Sequence, residues 1–260
     1  MPDALGDRMK CYEYAYRVYL PRRLPVIIRV DGRAFHTFTR GFKCPFDSVL
    51  SAVMIKTAEA LCKEISGAKL AYVQSDEISL LVTNDDTTET QPWFDNNLQK
   101  LASLSSSVAT KEFNWAFQQV VLHMARENPN TELNPYMEKI GRATFDARAF
   151  ILPPNEVTNY FIWRQQDATR NSIQMAARSV YSHKELQNKN TSDLQDMLME
   201  KGINWNDYET HQKRGACVVK EKVDGVPHGK WTADLEIPIF TQDRDYIERR
   251  MVKGEEDESD

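Results

Sequence analysis

The sequence predicts an α+β fold in which helices pack on an antiparallel sheet, and three observations support this prediction. Apolar residues make up 41% of the 260 residues, which is enough for a sizeable core and excludes wholesale disorder. Segments with strand and helix patterns follow one another in the order β-α-ββ-α-β-α-α-β, whereas a doubly wound parallel sheet would alternate regularly. The two adjacent strands have the pattern of a hairpin, which pairs its strands antiparallel.

The N-terminal part predicts a helix followed by a buried strand. Over residues 9–20, aromatic side chains and Leu share one helical face, and prolines follow. The β-branched run VIIRV at 26–30 is typical of a buried strand, and Asp31-Gly32 behind it predicts a turn.

The next segment predicts a helix and then a hairpin. Asp47 or Ser48 opens a helix with apolar residues at a spacing near 3.6. The β-rich stretch 69–82 is far longer than the ~5–6 residues of an average strand. It therefore predicts two strands with Ser75-Asp76 at the tip.

The remaining elements follow from periodicity and from helix-ending residues. The predicted segments are a long helix after Asp95, a strand at 143–152, a helix at 156–182, a helix capped by Ser192 and a strand at 215–222.

Charge and cysteine content exclude several classes of protein. The net charge is −5, but five acids stand in the C-terminal run GEEDESD, and without them 33 acidic residues balance 33 basic ones. A neutral body does not indicate a nucleic-acid binder, although it allows a local basic face.

The four cysteines form no CxxC pair, which argues against a zinc site or a disulfide framework. No uncharged apolar run approaches the ~20 residues needed to cross a bilayer, and we expect a cytoplasmic protein without a membrane partner.

Two aspartates indicate where chemistry would take place. Asp31 ends the first strand and Asp76 lies at the hairpin tip, so neighbouring strands would bring both carboxylates to one edge of the sheet. Paired carboxylates need a cation, and Mg²⁺ held by carboxylates and substrate phosphates suits a nucleotidyl transferase. Gly32 lets the backbone of 31–36 approach a triphosphate closely. Both aspartates are equally compatible with ordinary turn residues, so the residues alone leave the two interpretations open.

Longer motifs resemble one family. The segments VIIRVDGRAFHTFTRGFKCPFD, AYVQSDEISLLV, QPWFDNNLQKLASLSSSVAT, TFDARAFILP, NYFIWRQQDA and KRGACVVK are similar to those of the tRNA-histidine guanylyltransferase family, across residues 5–222. The resemblance implies a polymerase-palm or ferredoxin-like antiparallel sheet of βαββαβ type. It further implies a palm-like core at 1–155 and, at 156–250, a helical extension and late strands packed on that core. The run of acidic residues predicts a disordered tail at 251–260.

The resemblance also implies the site. Two Mg²⁺ ions would be held by Asp31, Asp76 and the carbonyl of Gly32, with Glu77 as a further catalytic residue. The implied nucleotide-binding residues are Asp31, Gly32, Arg33, Ala34, Phe35, His36, Asp47, Ser75, Asp76 and Lys100.

Four residues near the implied site also have a purely structural interpretation. Glu77 supports the metal site or is a hydrogen-bonding strand residue, and Lys100 meets phosphates or is a solvated helix lysine. Asp47 lies near the nucleotide or only caps a helix. Arg29 contacts phosphate or pairs with a nearby acid.

The implied activity is template-dependent 3′–5′ addition of nucleotides to the 5′ end of truncated tRNA, with ATP and GTP as substrates. It would repair tRNA after ATP or GTP has activated a 5′-monophosphate. Where eukaryotic members carry a HINNLYN-type stretch, this chain has Thr169, Arg170, Asn171 and Ser172, which favours the guanylyltransferase-like repair branch over untemplated G addition to tRNA-histidine. The same residues are also compatible with a nucleotide cyclase built on the palm, or with a non-catalytic tRNA-binding protein.

A second departure from the family pattern concerns a lysine. The position of that lysine holds Cys44 here, and Lys43 stands one position earlier.

The family also implies a homotetramer that binds tRNA. The candidate RNA contacts, for each of which a solvated face is the favoured interpretation, are Arg22-Arg23, Lys184 with Lys189, Lys213-Arg214 and Arg249-Arg250.

Overall fold

The computed structural model describes residues 4–127, 132–223 and 226–251, and it contains one six-stranded sheet. The strands are β1 (Val26–Gly32), β2 (Ala68–Gln74), β3 (Glu77–Val82), β4 (Phe145–Ile151), β5 (Ala216–Val223) and β6 (Val226–Asp234). They lie in the order β4-β1-β3-β2-β5-β6, and every neighbouring pair is antiparallel. The predicted α+β class with an antiparallel sheet is confirmed.

Helices cover both faces of this sheet. The α-helices of the described residues are α1 (Ala4–Tyr14), α2 (Phe35–Phe38), α3 (Ser48–Glu64), α4 (Leu98–Glu127), α5 (Asn134–Met137), α6 (Pro154–Arg178), α7 (Thr191–Glu200), α8 (Thr210–Arg214) and α9 (Asp245–Glu248). Within the described chain, no helix is both long and apolar enough to span a bilayer.

Side-chain alternation along β1 separates two cores. Val26, Ile28 and Val30 point to one face, where they join the buried residues of α3 and α4. Ile27 points to the other face and packs with α6 and α9. Arg29 and Asp31 continue the Ile27 side, so the polar end of β1 faces α6.

The predicted hairpin is confirmed, and Ser75-Asp76 forms its two-residue turn between β2 and β3. Gln74 pairs with Glu77, and Ser75 has a φ of 49°. A positive φ at the first turn residue suits the right-handed twist of the two strands. Ser75 adopts this conformation although neither Gly nor Asn occupies the tip.

The N-terminal helix differs from the prediction. It ends at Tyr14 instead of residue 20 and buries none of its side chains, so its aromatic face does not join the core. The following segment is extended because it pairs with the start of α4, where Leu98 N–H donates to the carbonyl of Val18 (2.9 Å).

Two further predictions about elements were incomplete or wrong. The cap of α7 is Asn190 instead of Ser192, since its side chain accepts from the N–H groups of Ser192 (2.9 Å) and Asp193 (3.0 Å). Strand β6 was missed because its sequence, VPHGKWTAD, lacks apolar alternation and contains Pro and Gly. Such residues are tolerated at the edge of a sheet, where β6 lies.

Strands β5 and β6, which lie in the predicted extension at 156–250, belong to the same sheet as β1. Residues 252–260 of the predicted acidic tail lie outside the described part of the chain.

Candidate active site

The end of β1 and the β2–β3 turn meet at one edge of the sheet. Gly32 N–H donates to the carbonyl of Asp76 (3.0 Å), and Asp31 lies opposite Glu77 in the strand register. Both aspartates line a cavity of about 680 Å³. The structure therefore brings together two carboxylates that are 45 positions apart in the sequence.

Charge crowding is visible at Asp76. Burial raises the pKa of its carboxyl group, hydrogen bonds of the turn oppose this change, and the charge of Asp31 raises the pKa further. Two carboxylates in this arrangement repel each other, so a cation between them would stabilise the ionised pair.

The segment after β1 forms one wall of the cavity. Ala34 has a φ of 54° and precedes the single turn of α2, whose Phe35 and Phe38 are buried. No described residue accepts a hydrogen bond from the N–H groups of Ala34, Phe35 and His36. These groups lie at the start of the turn, where the turn itself provides no carbonyl acceptor. A concave run of free N–H groups is suited to an anion such as a phosphate.

Arg33 was predicted in the same cradle, but it does not line the cavity as the structure describes it. Its N–H donates to the carbonyl of Thr144 (2.9 Å), which turns the residue towards the start of β4.

Asp47 lines the opposite rim and is fully engaged. Its carboxylate accepts from the N–H groups of Leu50 (2.8 Å) and Lys43 (3.0 Å) and from the hydroxyl of Tyr136 (2.6 Å). These bonds cap α3 and fix the loop before it, which favours the interpretation of Asp47 as a cap. Lys43 and Cys44 both line the cavity, and only Lys43 carries a charge there.

One stripe of α6 forms the third wall, and sequence reasoning missed it. The residues are spaced at three and four positions on one helical face: Arg164, Asp167, Asn171, Gln174, Met175 and Arg178. The signal available in the sequence was a polar stripe on a helix that otherwise buries apolar residues against the sheet.

Glu77 lies directly below this stripe and is buried. Its carboxylate accepts two hydrogen bonds from Arg164 (2.8 and 2.7 Å) and contacts Arg29 Nη2 at 2.8 Å. Ser79 Oγ donates to it at 3.3 Å and also pairs with the hydroxyl of Tyr160 (2.8 Å). Because arginines engage both oxygens, the geometry favours a supporting role for Glu77 over a role as a metal ligand.

Comparisons with known proteins agree with this geometry. The family described as tRNAHis guanylyltransferase matches residues 6–153. The chain is 28% identical over 250 residues to an uncharacterized protein of Acanthamoeba polyphaga mimivirus, covering 90% of this chain and 84% of that one. The chain belongs to the tRNAHis guanylyltransferase family. As a member of this family, it is a nucleotidyltransferase.

Solved structures with higher identity belong to the same family. A bacterial tRNA(His) guanylyltransferase-like protein in complex with ATP superposes with a TM-score of 0.82 at 49% identity, covering 96% of this chain and 99% of that one. A GTP complex of such a bacterial protein gives a TM-score of 0.79 at 47% identity, covering 95% and 99%. The predicted family is thereby confirmed.

The stretch that departs from eukaryotic members of the guanylyltransferase family lies on α6. Asn171 lines the cavity, whereas Ser172 is buried and accepts from Trp205 Nε1 (3.1 Å). Thr169 bonds back to the carbonyl of Gln165 (3.0 Å), and Arg170 pairs with Asp167 (3.0 Å). Asn171 is therefore the residue of this stretch that a substrate in the cavity would meet.

Lys100, predicted to bind the nucleotide, lies in a second cavity of about 730 Å³. Its Nζ is 5.2 Å from the ring centroid of Phe94. Helix α4 packs on the sheet face opposite Asp31, which places Lys100 outside the first cavity within one chain.

The candidate RNA contacts are partly occupied by intramolecular partners. Arg22 pairs with Asp95, Lys213 donates to the carbonyl of Asn206 (2.6 Å), and Arg250 lies 4.0 Å from the ring centroid of Tyr246. These contacts favour a structural interpretation for the three residues.

The donor set at Asp31 and Asp76 fits the Mg²⁺ that guanylyltransferase-family membership implies. The described residues contain no group of three or more His, Cys, Asp or Glu side chains able to hold a metal. Mg²⁺ is nevertheless commonly held by one or two carboxylates together with substrate phosphates and water. Asp31 and Asp76 provide such hard oxygen donors. Gly32, next to Asp31, has no Cβ, and a Cβ there would lie 2.4 Å from the ring of Phe35.

Proposed function

We propose that this protein is a template-dependent 3′–5′ nucleotidyltransferase that adds nucleotides to the 5′ end of truncated tRNA. The observation that carries the proposal is the meeting of Asp31 and Asp76 beside the free N–H groups of Ala34 to His36, in one cavity. That arrangement combines a cation site with a phosphate cradle. The bacterial relatives, described as ATP and GTP complexes, support nucleoside triphosphates as substrates.

The proposed chemistry has two steps. A 5′-monophosphate on the RNA attacks ATP or GTP, releases pyrophosphate and leaves a 5′–5′ nucleotidyl cap. The 3′-hydroxyl of the incoming nucleotide then attacks the capped phosphate, and the cap departs as a nucleoside monophosphate. Both steps concentrate negative charge on phosphoryl oxygens, so donors and cations that meet those oxygens stabilise the transition state.

Each group in the cavity would have a role that follows from its position. Asp31, Asp76 and the carbonyl of Gly32 would hold two Mg²⁺ ions, which supply positive charge to the phosphates and lower the pKa of the attacking hydroxyl. The N–H groups of 34–36 orient the triphosphate. Asn171, on the wall contributed by α6, faces the same space and meets the RNA end or the second nucleotide.

The repair activity is proposed over untemplated G addition because the stretch at 169–172 lacks the histidine- and asparagine-rich pattern of eukaryotic members. A homotetramer is proposed on the family resemblance, and it would give the exposed aromatic side chains of α1 a surface to pack against.

The test uses tRNA that lacks its first 5′ nucleotide and carries a labelled 5′-monophosphate, with Mg²⁺, ATP and all four nucleotides. The base opposite the vacant position is varied through A, C, G and U. We expect the added nucleotide to be the complement in each case. Addition of G regardless of that base would support untemplated activity, a cyclic nucleotide without RNA growth would support a cyclase, and RNA binding without either product would support a non-catalytic protein.

Variants of the two aspartates test the site itself. Asp31→Asn and Asp76→Asn remove charge with little change in volume, so we expect activity to fall by about 100- to 1,000-fold with the melting temperature retained. Asp7→Asn is the matched control, since the side chain of Asp7 is 66% exposed on α1. Near-normal activity in either site variant would overturn the assignment.

A further inference from the structure

A buried ion pair joins α6 to the strand next to the candidate site. Arg164 Nε donates to Glu77 Oε1 (2.8 Å) and Arg164 Nη2 donates to Glu77 Oε2 (2.7 Å). The two side chains are only 5% and 7% exposed. A two-bond contact of this kind fixes the plane of the carboxylate as well as its position.

The oriented carboxylate holds a second arginine at the cavity. Arg29 Nη2 lies 2.8 Å from Glu77 Oε2 and 3.4 Å from Asp31 Oδ2. All ion pairs and hydrogen bonds described for the side chain of Arg29 use this one nitrogen, and its buried Nε has no partner among the described residues. The contact with Glu77 is therefore the shorter of the two contacts made by Arg29 Nη2, and it sets the direction of the Arg29 guanidinium.

Stability alone does not account for a charged cluster in this place. A buried ion pair contributes little net stability compared with apolar residues of similar volume, because desolvation offsets the attraction between the charges. Loss of one partner is costly, since it leaves the other charge buried without compensation. What apolar residues cannot do is hold Arg29 beside Asp31.

We infer that Arg164 is a positioning residue for nucleotidyl transfer: it holds Glu77, and through Glu77 it presents the guanidinium of Arg29 to a phosphoryl group in the cavity. Both Glu77 oxygens are engaged by arginines, so their contacts serve to hold Arg29 and Arg164. The inference rests on the proposed function, in which this cavity receives the triphosphate.

The decisive variant replaces the ion pair by apolar residues, Arg164→Met with Glu77→Leu. We expect it to keep a melting temperature near that of the unmodified protein, while kcat falls by about 10- to 100-fold and KM for ATP changes by less than about threefold. Arg164→Gln should lower kcat by a similar factor and also lower the melting temperature. Arg126→Gln, an exposed arginine in the last turn of α4, is the control for the substitution.

Each result bears on the inference. A kcat near that of the control in the apolar double variant, or a rise in KM alone, would show that the pair is only structural and would overturn it. If the double variant does not fold, Arg164→Lys decides the question, because it keeps the charge but cannot form the two-bond contact. Arg164→Lys with full kcat would contradict the inference, and a loss of about tenfold or more at retained melting temperature would support it.

Failure of the proposed function gives a different pattern. In that case the unmodified protein would not add the complementary nucleotide to truncated tRNA. Failure of this inference alone leaves that activity in the unmodified protein and in the Arg164 variants, and leaves Asp31→Asn inactive.

Discussion

Replacement of Gly32 by Ala tests whether the close packing behind the phosphate cradle is required. A Cβ at this position would lie 2.4 Å from Cδ2 of Phe35 and 2.7 Å from two further atoms of the same ring. The ring has no room to retreat, because Phe35 is 4% exposed and its centroid is 4.9 Å from that of Phe38 and 5.0 Å from that of Phe145. Gly32 has no positive φ, so the effect is steric and does not come from backbone strain.

The expected magnitude follows from overpacking. Insertion of a methyl group into a packed core costs about 1–3 kcal/mol, and in a chain of this size each kcal/mol lowers the melting temperature by roughly 2–4 °C. We therefore expect Gly32→Ala to melt about 2–12 °C lower. The displaced α2 turn carries the N–H groups of the cradle, and a shift near 1 Å there should weaken activity by about 100-fold.

Circular dichroism melting measures the loss of stability. The rate of nucleotide addition to truncated tRNA measures the loss of activity, and calorimetric titration with an unreactive ATP analogue shows whether ATP binding is weakened with it. Gly141→Ala is the control, since its Cβ would meet no atom within 4 Å and only its φ of 73° makes it costly, by about 1–2 kcal/mol. This control should lose stability but keep its affinity for ATP. Phe35→Leu combined with Gly32→Ala should recover part of the melting temperature. Unchanged ATP affinity and melting temperature in Gly32→Ala would refute the reasoning.

The remaining predictions concern Tyr136 and Lys100. Burial and the bond to Asp47 raise the pKa of Tyr136 from 10.0 to about 12, so the folded state keeps a proton that the unfolded state loses. The contribution of this raised pKa to stability is therefore complete below pH 10 and is lost as the pH rises towards 12. In urea titrations over that interval, Tyr136→Phe should lose less free energy of unfolding than the unmodified protein. An equal loss in both proteins would contradict the assignment. Lys100→Ala should leave ATP affinity unchanged but weaken the binding of 5′-phosphorylated RNA. The slope of the logarithm of the RNA-binding constant against the logarithm of the salt concentration should fall by about 1 in magnitude. Unchanged RNA binding would show that Lys100 is a solvated lysine.

Most of the sheet was predictable from local patterns. Strand β1 and the β2–β3 hairpin are rich in apolar residues and are bounded by turn residues, and β4 begins with apolar and charged residues in alternation. Such signals act within a few positions of the chain. The error at α1 has a different origin. Its aromatic pattern has the period of a helix that buries one face, but pattern alone does not reveal whether a partner surface exists.

The candidate site was partly predictable because some of its residues lie next to elements with strong local patterns. Asp31, Asp76 and the cradle at 32–36 lie at the ends of elements that the sequence marks clearly, and the structure brings all of them except Arg33 to one cavity. The sequence could not separate Lys100 from that cavity, because helix periodicity gives the face of α4 but not the face of the sheet on which α4 packs.

By itself the sequence determined the family, the antiparallel sheet and the two aspartates at its edge, because short-range patterning and characteristic motifs specify these features. Only the tertiary structure decided which side chains complete the site. Arg164 comes from 87 positions beyond Glu77, and its alignment with both carboxylate oxygens depends on how α6 crosses the sheet. Such a contact is a property of packed surfaces, so no local pattern in either segment specifies it.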